Sequence, residues 1–241
     1  MKKRKREDGI VTENQILFEL ATSKEPLSKY QLEDHVDKAY SNIFEATKKL
    51  LKDNWIRAEK TEPNRRNPGQ KVEYYRLTKS GILAVLTLPE TAAKIGTIAN
   101  NYADMLILFK KWDFFKKEGL GSVLVSLVKM FPRAICGAVN LILQVEGKDA
   151  GYTEEQAERM IHGFILGTNA MEYLPNFQKE SKTLLHCYTS LWRACSKDVE
   201  LKQFLVSEIT RTKSSLELRL NFLGQLEDAL LKPETSVNST G

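Results

Sequence analysis

The chain has 241 residues, 42% of them hydrophobic and 28% charged, which reads as a soluble globular protein with material for one large domain or two small ones. Its longest uncharged apolar stretches, 119–128 and 134–145, are separated by Lys129 and Arg133, and each is too short to span a bilayer. The net charge of +5 is unevenly placed: residues 1–89 carry 18 Lys+Arg against 13 Asp+Glu, whereas residues 90–241 carry 18 of each. A basic segment beside a neutral one points to nucleic acid or another acidic partner for the first.

The chain opens with MKKRKRED, a charge run with no apolar face, and residues 1–11 are expected to form a disordered basic arm. The run leads into polar sequence and not an apolar stretch, so no signal peptide is expected. In a eukaryote KKRKR would also serve as a nuclear import signal. Thr12-Glu13-Asn14-Gln15 has the spacing of a capping box, predicting a helix that buries Ile16, Leu17, Leu20 and Ala21. SKEPL breaks that helix. Ser28-Lys29-Tyr30-Gln31 is a second capping box, and the short helix after it turns Leu32 and Val36 inward. A third helix follows Asp37-Lys38, with Ile43, Ala46, Thr47, Leu50 and Leu51 as its buried stripe. It ends at Asn54, a residue type that tolerates the left-handed conformation.

Residues 55–61 and 71–78 read as paired strands, with Ile56 and Ala58 on one face. Pro68-Gly69 suits the centre of a type II turn between them. Thr78 is placed to cap a helix running to Leu86. The order helix, helix, helix, strand, loop, strand, helix, with a very short second junction, is that of a helix-turn-helix flanked by a hairpin wing.

The stretch YQLEDHVDKAYSNIFEATKKLLKDNWI (residues 30–56), followed by YYRLTKSG, resembles the winged helix-turn-helix of PadR- and MarR-type transcriptional regulators. The resemblance rests on Leu50 spaced to Trp55-Ile56, and on Tyr75 spaced to Leu77-Thr78 and Gly81, and it covers roughly residues 12–86. Asn54 stands where such families often have glycine. The resemblance implies that the third helix enters the major groove of double-stranded DNA. Lys38, Tyr40, Ser41, Asn42, Glu45, Lys48 and Lys49 are the candidate contacts on it, with Asn42 suited to adenine and Glu45 to cytosine N4. Arg65, Arg66, Asn67 and Lys71 on the hairpin are placed for the phosphate backbone or minor groove. Arg57 and Arg76 flank the strands as salt-bridge partners, and Tyr75 is expected to pack on the helices.

Residues 90–232 lack strand alternation and read as all-α, with helices over 91–117, 121–130, 133–145, 153–173, 179–196 and 198–231, before a disordered tail at 233–241. The fold class expected is therefore mainly α with a small β-wing, divided into an arm (1–11), a winged domain (12–89) and a helical dimerisation or effector region (90–232). The aromatic residues from Trp112 onward read as core. The last helix carries leucines three or four apart, and Leu205, Ile209, Leu216, Leu220 and Leu223 are the candidate dimer contacts. Cys136, Cys187 and Cys195 are odd in number and widely spaced, which argues against a disulfide framework. His186-Cys187 and Cys195 lack the paired spacing of a zinc site, so no metal or cofactor is expected.

No glycine-rich phosphate loop, GxSxG or metal-ligand pair is present, so no catalytic residue is assigned and no enzyme is expected. The leading expectation is a homodimeric, sequence-specific DNA-binding regulator in the cytoplasm, nucleoid-associated, or in a nucleus. Its C-terminal region is free to receive a small-molecule or protein effector. The other reading keeps the same fold as a protein-interaction scaffold.

Overall fold

A computed structural model describes residues 2–64, 67, 69–129, 154–165, 186 and 188–231. The protein is mainly helical with one small antiparallel sheet. It divides into two compact units, Met1–Ala194 and Cys195–Gly241. The division therefore does not fall after residue 89, as composition suggested. The cause is packing: the helices before that point lie against helices well beyond it.

The first unit is built around α1 (Lys2–Thr22), which packs on α2 (Lys29–Val36), α3 (Tyr40–Lys52), α4 (Lys79–Leu86) and α5 (Thr91–Asn101). Ile16, Leu17, Leu20 and Ala21 are fully or nearly fully buried, as their spacing predicts. The helix does not begin at Thr12, however. Its backbone is helical from Lys2, and Thr12 is a buried residue within it, so the expected arm and the expected cap are both corrected. Lys, Arg and Glu are good helix formers, and extending a packed helix needs no new nucleus.

Ser28 caps α2 as expected. Its backbone N–H donates to Gln31 Oε1 at 2.9 Å, and its side chain accepts from Gln31 N. The α2–α3 junction is three residues long, with Asp37 left-handed at φ 52°. On α3 the buried stripe is Ile43, Ala46, Thr47 and Leu50, while Leu51 is only half-buried at its edge. Thr47 is satisfied in the core by donating to Ile43 O at 2.6 Å.

Three strands form the sheet in the order β1–β3–β2, namely β1 (Leu27–Ser28), β3 (Lys71–Leu77) and β2 (Ile56–Pro63). β2 and β3 make the expected hairpin, with Ile56 opposite Leu77 and Pro63 opposite Lys71. Ala58 lies two residues from Ile56 in unbroken register, on the same face as expected, but it is exposed where Ile56 is buried. A bulge lies between Ala58 and Lys60, and every β2 residue after Ile56 is exposed. At the hairpin end, Gln70 N donates to Asn67 O at 2.9 Å. Pro68 lies outside the described residues, as do Arg65 and Arg66.

Thr78 caps α4, accepting from Gly81 N at 3.0 Å and donating to Asn54 O at 2.6 Å. Asn54 is left-handed at φ 55°, and Trp55 O accepts from Thr78 N at 3.1 Å. These bonds lock the end of α3 to the start of α4. A Cβ on Gly81 would lie 2.0 Å from Trp55 O, so the backbones approach too closely there for any side chain.

The helix expected over 91–117 is three helices, α5, α6 (Ile107–Lys110) and α7 (Trp112–Lys117). The first break serves α1. Tyr102 Oη donates to Leu20 O at 2.8 Å and Asn101 Nδ2 to Ala21 O at 3.2 Å, satisfying carbonyls that the end of α1 leaves open. Gly119, at φ 73°, ends α7 before α8 (residues 121–129). α9 (Glu154–Ile165) packs on α4, where Lys79 N donates to Glu154 Oε2 at 2.9 Å and Lys79 Nζ pairs with Glu158. α10 covers residues 188–195. The helix expected over 133–145 and parts of those over 153–173 and 179–196 lie outside the described residues, as does the tail.

In the second unit α11 (Val199–Leu231) is close to the expected span. Asp198 stands before it and accepts from Leu201 N at 3.0 Å. Among the described residues, no helix is long and apolar enough to cross a membrane.

Candidate nucleic-acid interface

The outward stripe of α3 lies opposite its buried one. Helical periodicity places Ser41, Glu45, Lys48 and Lys52 on it, and all four are exposed. Lys48 and Lys52, together with Lys38 before the helix and Lys71 on β3, make no ion pair among the described residues. Neighbouring cations are neutralised. Lys49 pairs with Glu13 of α1 at 2.5 Å, Lys60 with Glu62 at 3.0 Å and Arg57 with Glu59 at 3.2 Å. Among the described residues of α3 and the hairpin, uncompensated positive charge thus gathers on the outward stripe of α3 and at Lys71. Glu45 is the acidic member of that stripe.

The flanks of α3 differ from each other. On one side Asn42, Glu45, Ala46 and Lys49 line a cleft of about 620 Å³ with Gly9, Thr12 and Glu13 of α1. Asn42 and Lys49 therefore face α1, apart from Ser41 and Lys48. On the other side Tyr40 lines a cleft of about 510 Å³ between the helices and the hairpin, with Lys29, Tyr30, Thr61, Asn64, Gln70 and Lys71. Tyr30 and Tyr40 stack at 5.3 Å, and Lys29 Nζ lies 4.6 Å from the Phe44 ring centroid. Tyr30, Tyr40 and Phe44 are all exposed. Burial, and then Tyr30, raises the pKa of the Tyr40 hydroxyl, so it stays a neutral donor. The cleft thus combines stacking surface, amide groups and two lysines with the carboxylate of Glu73, groups that can stack on and hydrogen-bond to bases.

Sequence reasoning missed Phe44, Tyr30, Lys29 and Lys52. Phe44 and Lys52 were legible: Phe44 is next to Ile43 but off the buried stripe and four residues from Tyr40, while Lys52 is four residues from Lys48. Lys29 joins the group only through folding, because β1 pairs with β3 and brings the start of α2 to the hairpin. Asn67 is exposed near the hairpin end. Arg65 and Arg66 remain assignments from sequence.

Tyr75 packs in the core as expected, with its hydroxyl donating to Glu73 Oε2 at 2.6 Å. Burial first, and then that carboxylate, raises its pKa. Arg76 is structural. It donates to Asn101 O, pairs with Asp104 at 3.9 Å and covers the Tyr102 ring at 4.8 Å.

Among the described residues, no group of three or more His, Cys, Asp and Glu is placed to hold a metal. Cys195 is buried, and burial, with Asp198 adding to it, pushes its thiol up to about 12. That makes it a packing residue. Cys136 and Cys187 lie outside the described residues. Trp112, Phe115 and Tyr188 are buried, whereas Trp192 is exposed.

The candidate dimer contacts divide along α11. Leu205 is buried and Ile209 half-buried, but Leu216, Leu220 and Leu223 are 46%, 67% and 59% exposed. Comparison with family models, with curated proteins and with solved structures finds no match to this chain.

Proposed function

We propose that the chain is a winged helix-turn-helix regulator that binds double-stranded DNA sequence-specifically as a homodimer. In this reading α3 enters the major groove and the β2–β3 hairpin lies on the backbone or minor groove. The observation that carries it is the outward stripe of α3, where Lys48 and Lys52 follow Ser41 and Glu45 and make no ion pair among the described residues. Lysines held this way gain by releasing the counterions of a phosphate backbone. Ser41 and Glu45 offer a hydroxyl and a carboxylate to base edges. The cleft lined by Tyr30 and Tyr40, and the exposed Phe44, lie beside the stripe, where a thymine methyl or sugar would meet an aromatic surface. The reading gives the chain no catalytic role and places it where the cell keeps its DNA. A homodimer supplies two such helices to a two-fold site.

The test is a salt series of duplex binding by fluorescence anisotropy, using a random-sequence 30-mer. Lys48→Ala with Lys52→Ala, and separately Arg65→Ala with Arg66→Ala, should each flatten the log K against log salt slope by about two units. A wild-type chain that does not bind the duplex at low salt overturns the reading. Exposed aromatic side chains also favour a second reading, a protein-interaction module using the same face. In that case Phe44→Ala would abolish capture of a protein partner while duplex DNA would not bind.

A further inference from the structure

The C-terminal half of α11 shows Leu216, Leu218, Leu220, Phe222, Leu223 and Leu226 to solvent, each at least 45% exposed. An exposed apolar run of this length marks an interaction surface. Within the arc that holds Leu216, Leu220, Leu223 and Leu226, helical periodicity places only two ionisable residues between 216 and 228, Arg219 and Glu227. They stand four residues to either side of Leu223 and carry opposite charge.

We propose that this segment pairs with its own copy in a second chain, antiparallel, about a two-fold axis at Leu223. In that register Leu223 meets Leu223 of the second copy and Leu220 meets its Leu226. Arg219 meets its Glu227 twice, once on each side of the axis. The parallel in-register alternative sets Arg219 against Arg219 and Glu227 against Glu227, which is repulsive at both levels. The antiparallel arrangement also opposes the two helix dipoles. A second copy is the occupant that this pattern singles out, because the face is complementary to itself when reversed.

The inference rests on the homodimer of the proposed reading but not on DNA binding. Its test uses the full chain with single cysteine substitutions and mild oxidation, the wild-type protein giving the background from native cysteines. Leu223→Cys should give a covalent dimer well above background. Leu216→Cys should not, because the two copies of residue 216 would stand about 21 Å apart along the axis, beyond the ~7 Å limit for a disulfide. Covalent dimer from both variants, or from Leu216→Cys alone, overturns the antiparallel register while leaving a homodimer. Covalent dimer from neither, with a monomeric wild type, overturns both. The second arm uses charge. Arg219→Glu should raise the dimer Kd about tenfold, and adding Glu227→Arg should restore it, since two pairs are reversed together. Failure of the double variant to recover overturns the register. Duplex binding measured on the same samples reports separately on the proposed function.

Discussion

At Gly81 a hydrogen atom decides whether two segments can meet. A methyl group there would meet the Trp55 carbonyl at 2.0 Å, and neither backbone is free to move because Thr78 bonds to both Asn54 and Gly81. Gly81→Ala should therefore destabilise the fold by about 3 kcal/mol, the upper end for overpacking. Urea denaturation followed by circular dichroism would measure it, and an unchanged midpoint would mean that the α3–α4 junction yields easily. Tyr102 gives a second expectation at this scale. Burial pushes its hydroxyl up to about 12 from the usual 10, despite Arg76 nearby. Below pH 10 the group is protonated in both folded and unfolded chains and costs nothing. Between pH 10 and about 12 the unfolded chain alone loses the proton, so stability falls by about 2–3 kcal/mol. Tyr102→Phe should reduce that alkaline loss, at the expense of the bond to Leu20 O.

At the scale of the element, α3 presents four surfaces with different surroundings. The buried stripe holds it to α1, the hairpin-side flank carries the aromatic residues, and the outward stripe carries Ser41, Glu45, Lys48 and Lys52. Glu45 and Asn42 both line the cleft beside α1, but Glu45 stands within about 30° of the centre of the outward stripe and Asn42 about 90° from it, on the flank facing α1. Glu45→Gln should therefore change sequence preference more than Asn42→Ala does, by about 1–3 kcal/mol at one base pair. Selection from a random duplex library would show it. A preference changed by Asn42→Ala alone would mean that the α1 flank, and not the outward stripe, reads the bases. The pattern of Ile43, Ala46, Thr47 and Leu50 was enough to identify the helix and its inner face. It could not tell which of the remaining residues face outward and which face a neighbour, because that depends on where α1 lies.

At the scale of the whole molecule, the exposed leucines of α11 carry the expectation of a dimer. Leu216 is 46% exposed, so replacing it removes little from the chain's own core. Leu216→Glu should yield a folded monomer, with helical content unchanged by circular dichroism and half the wild-type mass by light scattering. A variant that loses its helical signal would place Leu216 in a core, and a dimeric variant would place the interface elsewhere.

The local chemistry of the chain was sufficient for much of the first unit. Ser28 and Thr78 cap helices because their hydroxyls reach backbone N–H groups three residues on, a relation contained within four residues. The hairpin, the left-handed Asn54 and the buried stripes of α1, α2 and α3 are likewise set by short-range pattern, as is the exposed stripe of α11. Three features were decided only by tertiary structure. Thr12 has the spacing of a cap but lies inside α1, because a helix start depends on what precedes it as well as on the capping residue. β1 is two residues long, too short to show alternation, and exists through its bonds to Tyr74 and Tyr75. The break at Tyr102 interrupts a sequence that reads as one helix, because the carbonyls of Leu20 and Ala21, some eighty residues earlier, need donors. Periodicity reports what a segment can bury and cannot report which distant backbone group it must satisfy.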